Sequence, residues 1–521
     1  MFRKVLIANR GEIAVRVIRA CREMGVKAVA VYSEADREAP HVWLADEAYP
    51  IGPAPAAESY LRGDRLIEVA LRAGCEAVHP GYGFLAERPA FAYAVEQAGL
   101  VFIGPSPDAM AALGDKTEAR RTMKAAGVPL VPGLDWPAAD AAALARAADE
   151  LGYPVLLKAA AGGGGKGMRV VRSPDELAAA FRGAGHEAES AFGDRRIYLE
   201  KYLDGPRHVE IQILADAHGN VVHLGERECS IQRRHQKLLE ESPSPALDPA
   251  MREAMGAAAV AAARAVGYRN AGTVEFLVHD GRFYFLEVNA RIQVEHPVTE
   301  MVTGLDLVQA QLRIAAGERL WFRQEDVRWT GHALECRISG EDPWNRFYPS
   351  AGRIERWHVP GGPGVRWDGG VVAGNEVTLH YDPLLAKCIV HAPDRPSAIA
   401  RMERALREFW VEGIATTQPF HLAVLREPDF RAGAYDTRYL ETHPDLLDRF
   451  VAEDPEAREG LSVSIMDRRG RTTVEVRPYR RLRSPEGVRL LWEDPVAMPP
   501  GARAQSTLLQ TFWEAVEEAS R

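Results

Sequence analysis

Between residues 286 and 300 the chain reads LEVNARIQVEHPVTE, and apolar and polar side chains alternate through its first ten positions. Alternation at a period of two predicts a strand, because successive Cβ atoms of an extended chain point to opposite faces of a sheet. Leu286, Val288, Ala290, Ile292 and Val294 then form a packing face, and Glu287, Asn289, Arg291, Gln293 and Glu295 a polar one. The preceding TVEFLV at 273–278 predicts a partner strand, and Asp280-Gly281 between the two is a turn signal, so the pair forms a hairpin. Glu275 and Glu287 share one face of it if the connection holds an odd number of residues, as a three-residue loop with a glycine bulge supplies. Two adjacent carboxylates repel each other. A cation between them removes that cost, and Mg²⁺ is typically held by one or two carboxylates together with phosphate oxygens. Glu275, Glu287 and Asn289 are therefore the candidate metal ligands, for Mg²⁺ or Mn²⁺. A solvated strand face is the competing interpretation.

The same patterning organises the rest of the chain. KVLIA at 4–8, AVAVYSEAD at 28–36, the start of CEAVHPGYGFLAE at 75–87 and LVFIGPS predict strands; helices are predicted from NRGEIA to Glu23 and over 64–73. Strands alternating with helices predict an open parallel sheet, here residues 1–114. Gly81-Tyr-Gly83-Phe-Leu-Ala86 fits a dinucleotide fingerprint, but that motif needs an acid at the end of the next strand, which here ends Ile103-Gly104-Pro105. A tight turn that requires small residues accounts for it instead.

YPVLLKAAAGGGGKGMRVV, residues 153–171, is an apolar strand ending in Lys158, then a glycine run, then another strand. Glycines let backbone N–H groups approach phosphate oxygens. It is not a Walker loop, because Lys166 is followed by Gly167 rather than Ser or Thr. A strand-loop-strand lid that closes on phosphates fits better, with Gly163, Gly164, Gly165 and Gly167 as the phosphate-facing backbone. In the stretch 196–216, His208, Glu210 and Gln212 share one strand face, which is equally compatible with plain sheet surface. Residues 225–245 hold Arg233, Arg234, His235 and Lys237, a cluster that usually means a solvated surface, here framed by Cys229, Gln232, Glu240 and Glu241. Arg337 alternates with Glu335 on an inward-looking strand within HALECRISGEDP, where a buried salt bridge is the ordinary meaning.

Composition adds exclusions. A chain of 521 residues is too long for one core and predicts two to four domains. A net charge of −9 gives no reason to expect nucleic acid as a partner. The five cysteines form no C-x-x-C pair, so neither a zinc site nor a disulfide framework is indicated. The apolar run at the start is broken by Asn9, Arg10 and Glu12, and no stretch of about 20 apolar residues occurs, so neither a signal peptide nor a membrane span is expected. The expectation is a soluble cytoplasmic protein. Residues 445–521 read as a charged linker, a hairpin around Arg469-Gly470 and a final amphipathic helix with Leu508, Leu509, Phe512, Trp513 and Val516 on one stripe. That stripe is either the core of the small module or a docking surface.

EFLV, LEVNARIQVEHPVTE and GLDLVQAQLRIAAG resemble the ATP-grasp core of biotin carboxylase, and ERECSIQRRHQKLLEE nearly reproduces the family's ERDCSIQRRHQKxxEE. YDPLLAKCIV, RMERALREFWVEGIATTQPF and DTRYLET resemble its C-terminal lobe, so the resemblance runs from the N-terminus to about residue 444. It implies an N-terminal α/β domain over 1–114, an ATP-grasp domain over 115–330 with its mobile lid at about 131–203, and a mixed C-terminal domain over 331–444. It further implies that Lys116, Lys158, His208, Gln232 and His235 contact nucleotide, with Glu200, Lys201 and Leu203 at the adenine. It implies that Lys237, Arg291, Gln293, Val294 and Glu295 hold bicarbonate, and that Tyr82 and Arg337 lie at the biotin site. In some schemes for the family Cys229 and Lys237 form a proton-transfer pair. HPGYGFLAER departs from the family's HPGYGFLSEN at Ala86 and Arg88, which keeps the turn and removes the serine.

The residues themselves describe a phosphoryl-transfer site, where catalysis is mainly positioning and charge neutralisation. Arg291 can clamp a small planar anion through two parallel bonds, and Glu295 is placed to act on it as general base. The resemblance supplies the reaction: ATP and bicarbonate give carboxyphosphate, and biotin is carboxylated with Arg337 steadying its enolate. The biotinylated A-M-K-M tetrapeptide is absent from the sequence. The biotin is therefore expected on a separate carrier protein, with carboxyltransferase subunits as further partners, a homodimer as the assembly, and an acyl-CoA carboxylase of acetyl-CoA or propionyl-CoA type as the whole. An ATP-grasp ligase joining a carboxylate to an amine and a non-catalytic scaffold are the competing readings.

Overall fold

The computed structural model describes residues 1–134, 136–138, 140–160, 167–452, 457–467, 472–484 and 487–492, with the backbone alone for Phe192 and from Phe450 onward. Gly163, Gly164 and Gly165, the Arg469-Gly470 turn and the predicted final helix lie outside the described residues.

The N-terminal domain is a five-stranded parallel sheet of β1 (Lys4–Ile7), β2 (Lys27–Ser33), β3 (Glu47–Gly52), β4 (Ala77–His79) and β5 (Val101–Phe102), in the order β3-β2-β1-β4-β5. Val5, Leu6 and Ile7 are wholly buried, as expected of a strand covered on both faces. Helix α1 (Gly11–Glu23) buries Ile13, Ala14, Val17, Ile18 and Cys21. The strand expected over 28–36 stops at Ser33, and Glu34–Asp36 turns as a 3₁₀ helix. The turn brings Asp36 against Arg10, whose Nε and Nη2 donate to its two oxygens at 2.6 and 2.7 Å. Gly81 has φ +62°, and a Cβ there would lie 2.8 Å from Asn9 Nδ2, which itself donates to the carbonyls of Pro80 and Tyr82. The glycine motif is thus a tight turn. The helix after it begins at Pro89.

Three antiparallel strands make a separate small sheet, β6 (Val155–Ala159), β7 (Arg169–Val171) and β8 (Ile197–Lys201), in the order β7-β6-β8. It has its own core, with Leu144, Val155, Leu157, Leu177 and Leu199 among the buried residues.

The central sheet has eight antiparallel strands: β9 (Arg207–Ala215), β10 (Val221–Arg233), β11 (Gln236–Ser242), β12 (Asn270–His279), β13 (Arg282–Asn289), β14 (His332–Ser339) and the strands Val365–Gly369 and Leu384–Ala392. β11 pairs with β14, so the sheet runs without a break from the ATP-grasp-like region into the C-terminal lobe.

Two local expectations are corrected. The β12–β13 hairpin closes through a two-residue Asp280-Gly281 turn, with φ of 49° and 69°, rather than a three-residue loop. The odd residue is instead a bulge at Leu286, since Phe276 faces Phe285 but Glu275 faces Glu287. Glu275 and Glu287 therefore stand directly opposite each other on one face. The strand expected over 286–300 ends at Asn289, and helix His296–Thr303 follows a turn. Pro297 sits in the first helical turn, where its missing N–H costs nothing. The turn residues leave the sheet ladder: the Ala290 N–H donates to Glu87 Oε1 at 2.9 Å, and the Val294 carbonyl accepts from Lys387 Nζ at 2.8 Å.

In the tail, Ala457–Asp467 and Thr472–Ser484 pair antiparallel on either side of the expected hairpin turn, and Gly487–Trp492 adds a third strand. Among the described residues no helix is long and apolar enough to cross a membrane.

The C-terminal lobe touches α1 backbone to backbone. A Cβ on Gly370 would lie 2.4 Å from the Glu12 amide nitrogen and 2.8 Å from the Gly11 Cα. Gly370→Ala is expected to destabilise by about 1–3 kcal/mol, as overpacking does, whereas Gly361→Ala, which meets nothing within 4 Å, is expected to be neutral. Thermal unfolding of the two variants beside the parent checks this.

Candidate active site

The strand register builds the site. Arg227 on β10 lies opposite Glu210 on β9, Glu210 opposite Glu275 on β12, and Glu275 opposite Glu287 on β13. Directly opposed residues share a face, so one cation and three acids form a row across four strands. Its outer two acids, Glu275 and Glu287, form part of the wall of a cavity of about 860 Å³, and Glu210 and Arg227 lie buried behind it. Arg227 anchors its inner end with no exposed surface, donating to Glu210 and Gln212 at 2.5 Å, to Gln293 at 2.7 Å, and to Thr273 and Thr299 at 3.0 and 3.1 Å.

Lys237, on β11, reaches over the row. Its Nζ donates to Glu210 at 2.5 Å, to Glu275 at 2.8 Å and to Glu295 at 2.6 Å. An ammonium has three N–H donors, and each finds a carboxylate from a different segment. Burial alone would raise the pKa values of Glu275 and Glu295. Lys237 outweighs it, helped by His208 at Glu275 and by Arg337 at Glu295, so both carboxyls lie well below the usual carboxylate range. Burial works against the charge of Lys237, and the three acids more than reverse it. Arg337 closes the arrangement, with Nε on Glu240 at 2.6 Å and Nη2 on Glu295 at 2.9 Å.

Glu287, at the outer end of the row, pairs with Lys116 at 3.2 Å. Lys116 opens the helix Lys116–Ala125, whose cap Asp115 accepts from the amides of Thr117 and Glu118. Asn289 Nδ2 donates to Glu275 Oε1 at 2.8 Å. Two opposed carboxylates and an amide oxygen on one cavity wall form an all-oxygen donor set, which fits a hard divalent cation. Farther out, Glu200 is shared by Lys158 and by Arg120, the latter at 2.5 Å. Leu203, Gln232, His235 and Val294 also line the cavity. His208 Nε2 approaches Glu275 at 3.1 Å. Lys201 lines it too, although its Nζ donates to the carbonyls of Gly152 and Tyr153 at 2.7 and 3.3 Å.

The alternate residues of the lost strand, Arg291, Gln293 and Glu295, still converge on the cavity. Arg291 is more constrained than expected. Its Nε donates to Glu87 at 2.8 Å, and its Nη atoms donate to Asn289 at 3.0 Å and to the Ile292 carbonyl at 3.2 Å. Two of its five N–H donors remain. Tyr82 and Gly167 do not line the cavity; the Tyr82 hydroxyl donates instead to Glu12. Cys229 is wholly buried and burial pushes its pKa well up, so it stays a thiol. The chain pattern did not single out Arg227, Arg120 or Glu87 as site residues. Their importance depends on which strand lies beside which, and no periodicity carries that.

Three family models match the chain up to residue 442: "Biotin carboxylase, N-terminal domain" over residues 1–110, "Carbamoyl-phosphate synthase L chain, ATP binding domain" over 115–322, and "Biotin carboxylase C-terminal domain" over 335–442. Fold and site together are thus those of an ATP-grasp enzyme. Biotin carboxylase 1 of Bacillus subtilis is 54% identical over 445 residues, covering 85% of this chain and 99% of that protein. A pyruvate carboxylase subunit of Methanothermobacter thermautotrophicus is 53% identical over 470 residues, covering 89% and 96%. The biotin carboxylase domain dimer of Hydrogenobacter thermophilus 2-oxoglutarate carboxylase, solved with MgADP, ADP and bicarbonate, superposes with a TM-score of 0.83 at 52% identity, covering 86% of this chain and 99% of that one. The chain belongs to the biotin carboxylase family of ATP-dependent ligases.

Not every acid around Arg337 and Lys237 is held charged. Burial lifts Glu240 to about 7, against the pull of Arg337. Its proton stabilises the fold fully below the ordinary carboxylate pKa of about 4.5, and that contribution disappears as pH rises through about 7. Glu240→Gln removes this dependence. The melting temperature of the variant relative to the parent is therefore expected to rise between pH 5 and 7.5, and a flat difference would contradict the assignment.

Proposed function

We propose that this cavity carries out the ATP- and bicarbonate-dependent carboxylation of biotin borne on a separate carrier protein, as the biotin carboxylase component of an acyl-CoA carboxylase of acetyl-CoA or propionyl-CoA type. The observation that carries the reading is Lys237, which touches Glu275 of the metal candidates and Glu295 of the anion candidates at once. One ammonium thus ties the phosphate end of the site to the end where the acceptor anion would sit.

In this reading Lys116, Lys158, Gln232, His235 and His208 take the nucleotide, together with the lid glycines. Glu275, Glu287 and Asn289 hold Mg²⁺ or Mn²⁺, which when bound neutralises phosphate charge. Arg291 and Gln293, with the backbone around Val294, orient bicarbonate beside Lys237, and Glu295 takes its proton. The bicarbonate oxygen attacks the terminal phosphorus of ATP, ADP leaves, and carboxyphosphate forms. That species breaks to CO₂ and phosphate. Biotin then gives its N1′ proton to the phosphate just released, and Arg337 steadies the resulting enolate charge while N1′ bonds to CO₂. Tyr82 lies behind this region, in contact with Glu12. The charged state of Glu295 makes it proton-free at neutral pH, as a base must be.

A second reading concerns the final acceptor. The relatives named for pyruvate and 2-oxoglutarate carboxylases favour a 2-oxo acid. The acceptor is chosen on the carboxyltransferase, so this cavity is compatible with either. The dimer of the superposed structure supports a homodimer here. Copurified partners, assayed for bicarbonate fixation on acetyl-CoA, propionyl-CoA, pyruvate and 2-oxoglutarate, distinguish the two.

Purified chain should cleave ATP only with Mg²⁺ or Mn²⁺, and faster with bicarbonate and free biotin together. No stimulation by either would sink the proposal. Glu295→Gln is expected to lower turnover by about 10²-fold or more, the range for loss of a general base, with little change in the KM for ATP.

A further inference from the structure

Behind the anion end of the cavity lies a lysine that the chemistry above does not use. Lys387, on the strand Leu384–Ala392, has no exposed surface. It stands directly opposite Arg337 on one side and Asp368 on the other, so it shares their face of the sheet. Its Nζ donates to the Val294 carbonyl at 2.8 Å and forms an ion pair with Glu12 Oε2 at 3.2 Å. Glu12 belongs to α1 of the N-terminal domain, and its other oxygen accepts the Tyr82 hydroxyl.

Burying an ammonium is costly, and a well-packed apolar side chain often serves stability as well or better. What the ammonium provides here is a donor for a turn that has left the sheet. Residues 290–295 have no strand partner, so their buried carbonyls need donors from elsewhere. Val294 lies between Gln293 and Glu295. Its carbonyl lies in the Val294–Glu295 peptide plane, so holding it fixes the plane from which Glu295 projects and restrains Gln293 one residue back. Gln293 meets Arg227 and Glu275, and Glu295 meets Lys237 and Arg337.

We propose that Lys387 is a positioning residue: it sets the turn Gln293–Glu295 against the sheet, and Glu12 with Tyr82 locks it from the N-terminal domain. The placement of the bicarbonate-binding groups thereby depends on the contact between the first domain and the C-terminal lobe. This inference deepens the proposed function and rests on it for its kinetic consequence.

The test uses the full chain as Lys387→Met, Lys387→Arg and the double variant Glu12→Gln/Lys387→Met, which leaves no carboxylate orphaned at that contact. Bicarbonate-dependent ATP cleavage with free biotin should show at least a tenfold rise in the KM for bicarbonate in both Met variants. The KM for MgATP should stay within twofold, and Lys387→Arg should recover part of the loss. Hydrogen exchange of a peptide spanning 290–298 should speed up at least tenfold in the double variant, with peptides from β9 and β12 unchanged. Unchanged bicarbonate KM with unchanged exchange overturns the proposal. So does a parallel rise in both KM values, which indicates a general structural loss. If the parent chain shows no bicarbonate dependence, the functional reading fails, and the exchange measurement still decides whether Lys387 holds the turn.

Discussion

Three buried carboxylates converge on one ammonium, and the rest of the site depends on that contact. Glu210 comes from β9, Glu275 from β12 and Glu295 from the turn after β13, and Lys237 gives each of them one N–H. Without the cation the acids would repel one another in a medium that screens poorly. With it, two of them stay ionised inside the protein. Arg227 does the same work one layer deeper, its guanidinium fully engaged by Glu210 and four neutral oxygens. The antiparallel register makes both possible, because opposed residues share a face and the bulge at Leu286 returns Glu287 to that face.

The acids do not all behave alike, and the contrast is useful chemistry. Glu295, between Lys237 and Arg337, is held charged, whereas Glu240, which has Arg337 but lies deeper among other acids, holds its proton up to about 7. Neighbouring carboxyls pushed apart in this way give a site both a proton acceptor and a proton store. Arg337 touches both, so its charge is shared between an acid that titrates near neutrality and one that does not.

Much of this was legible in the chain. Alternation identified the polar faces of β9 and β13, and the Asp280-Gly281 turn identified the hairpin, since both are local properties of an extended backbone. The resemblance to a known family supplied the roles. Less legible was anything set by register or by a neighbouring segment. The alternation continued past Asn289 although the strand did not, because turn residues packed between a core and a cavity are also sorted into apolar and polar positions. Arg227 sits unremarked within GEREC, and its meaning comes from lying opposite Glu210. Arg291 looked free to clamp an anion, but Glu87, two hundred residues earlier in the chain, already holds its Nε. Lys387 reads as one more residue of an apolar strand, and only the fold places it beneath Val294.

The most direct test of the central contact is a double-mutant cycle on bicarbonate-dependent ATP turnover, using Lys237→Met, Glu295→Gln and the pair together. If Lys237 acts by holding Glu295 charged and in place, the double variant should be little worse than the poorer single variant, giving strong coupling between the two positions. Losses that simply multiply would show that the two side chains act independently, and the account of the site as one charge-coupled unit would be wrong.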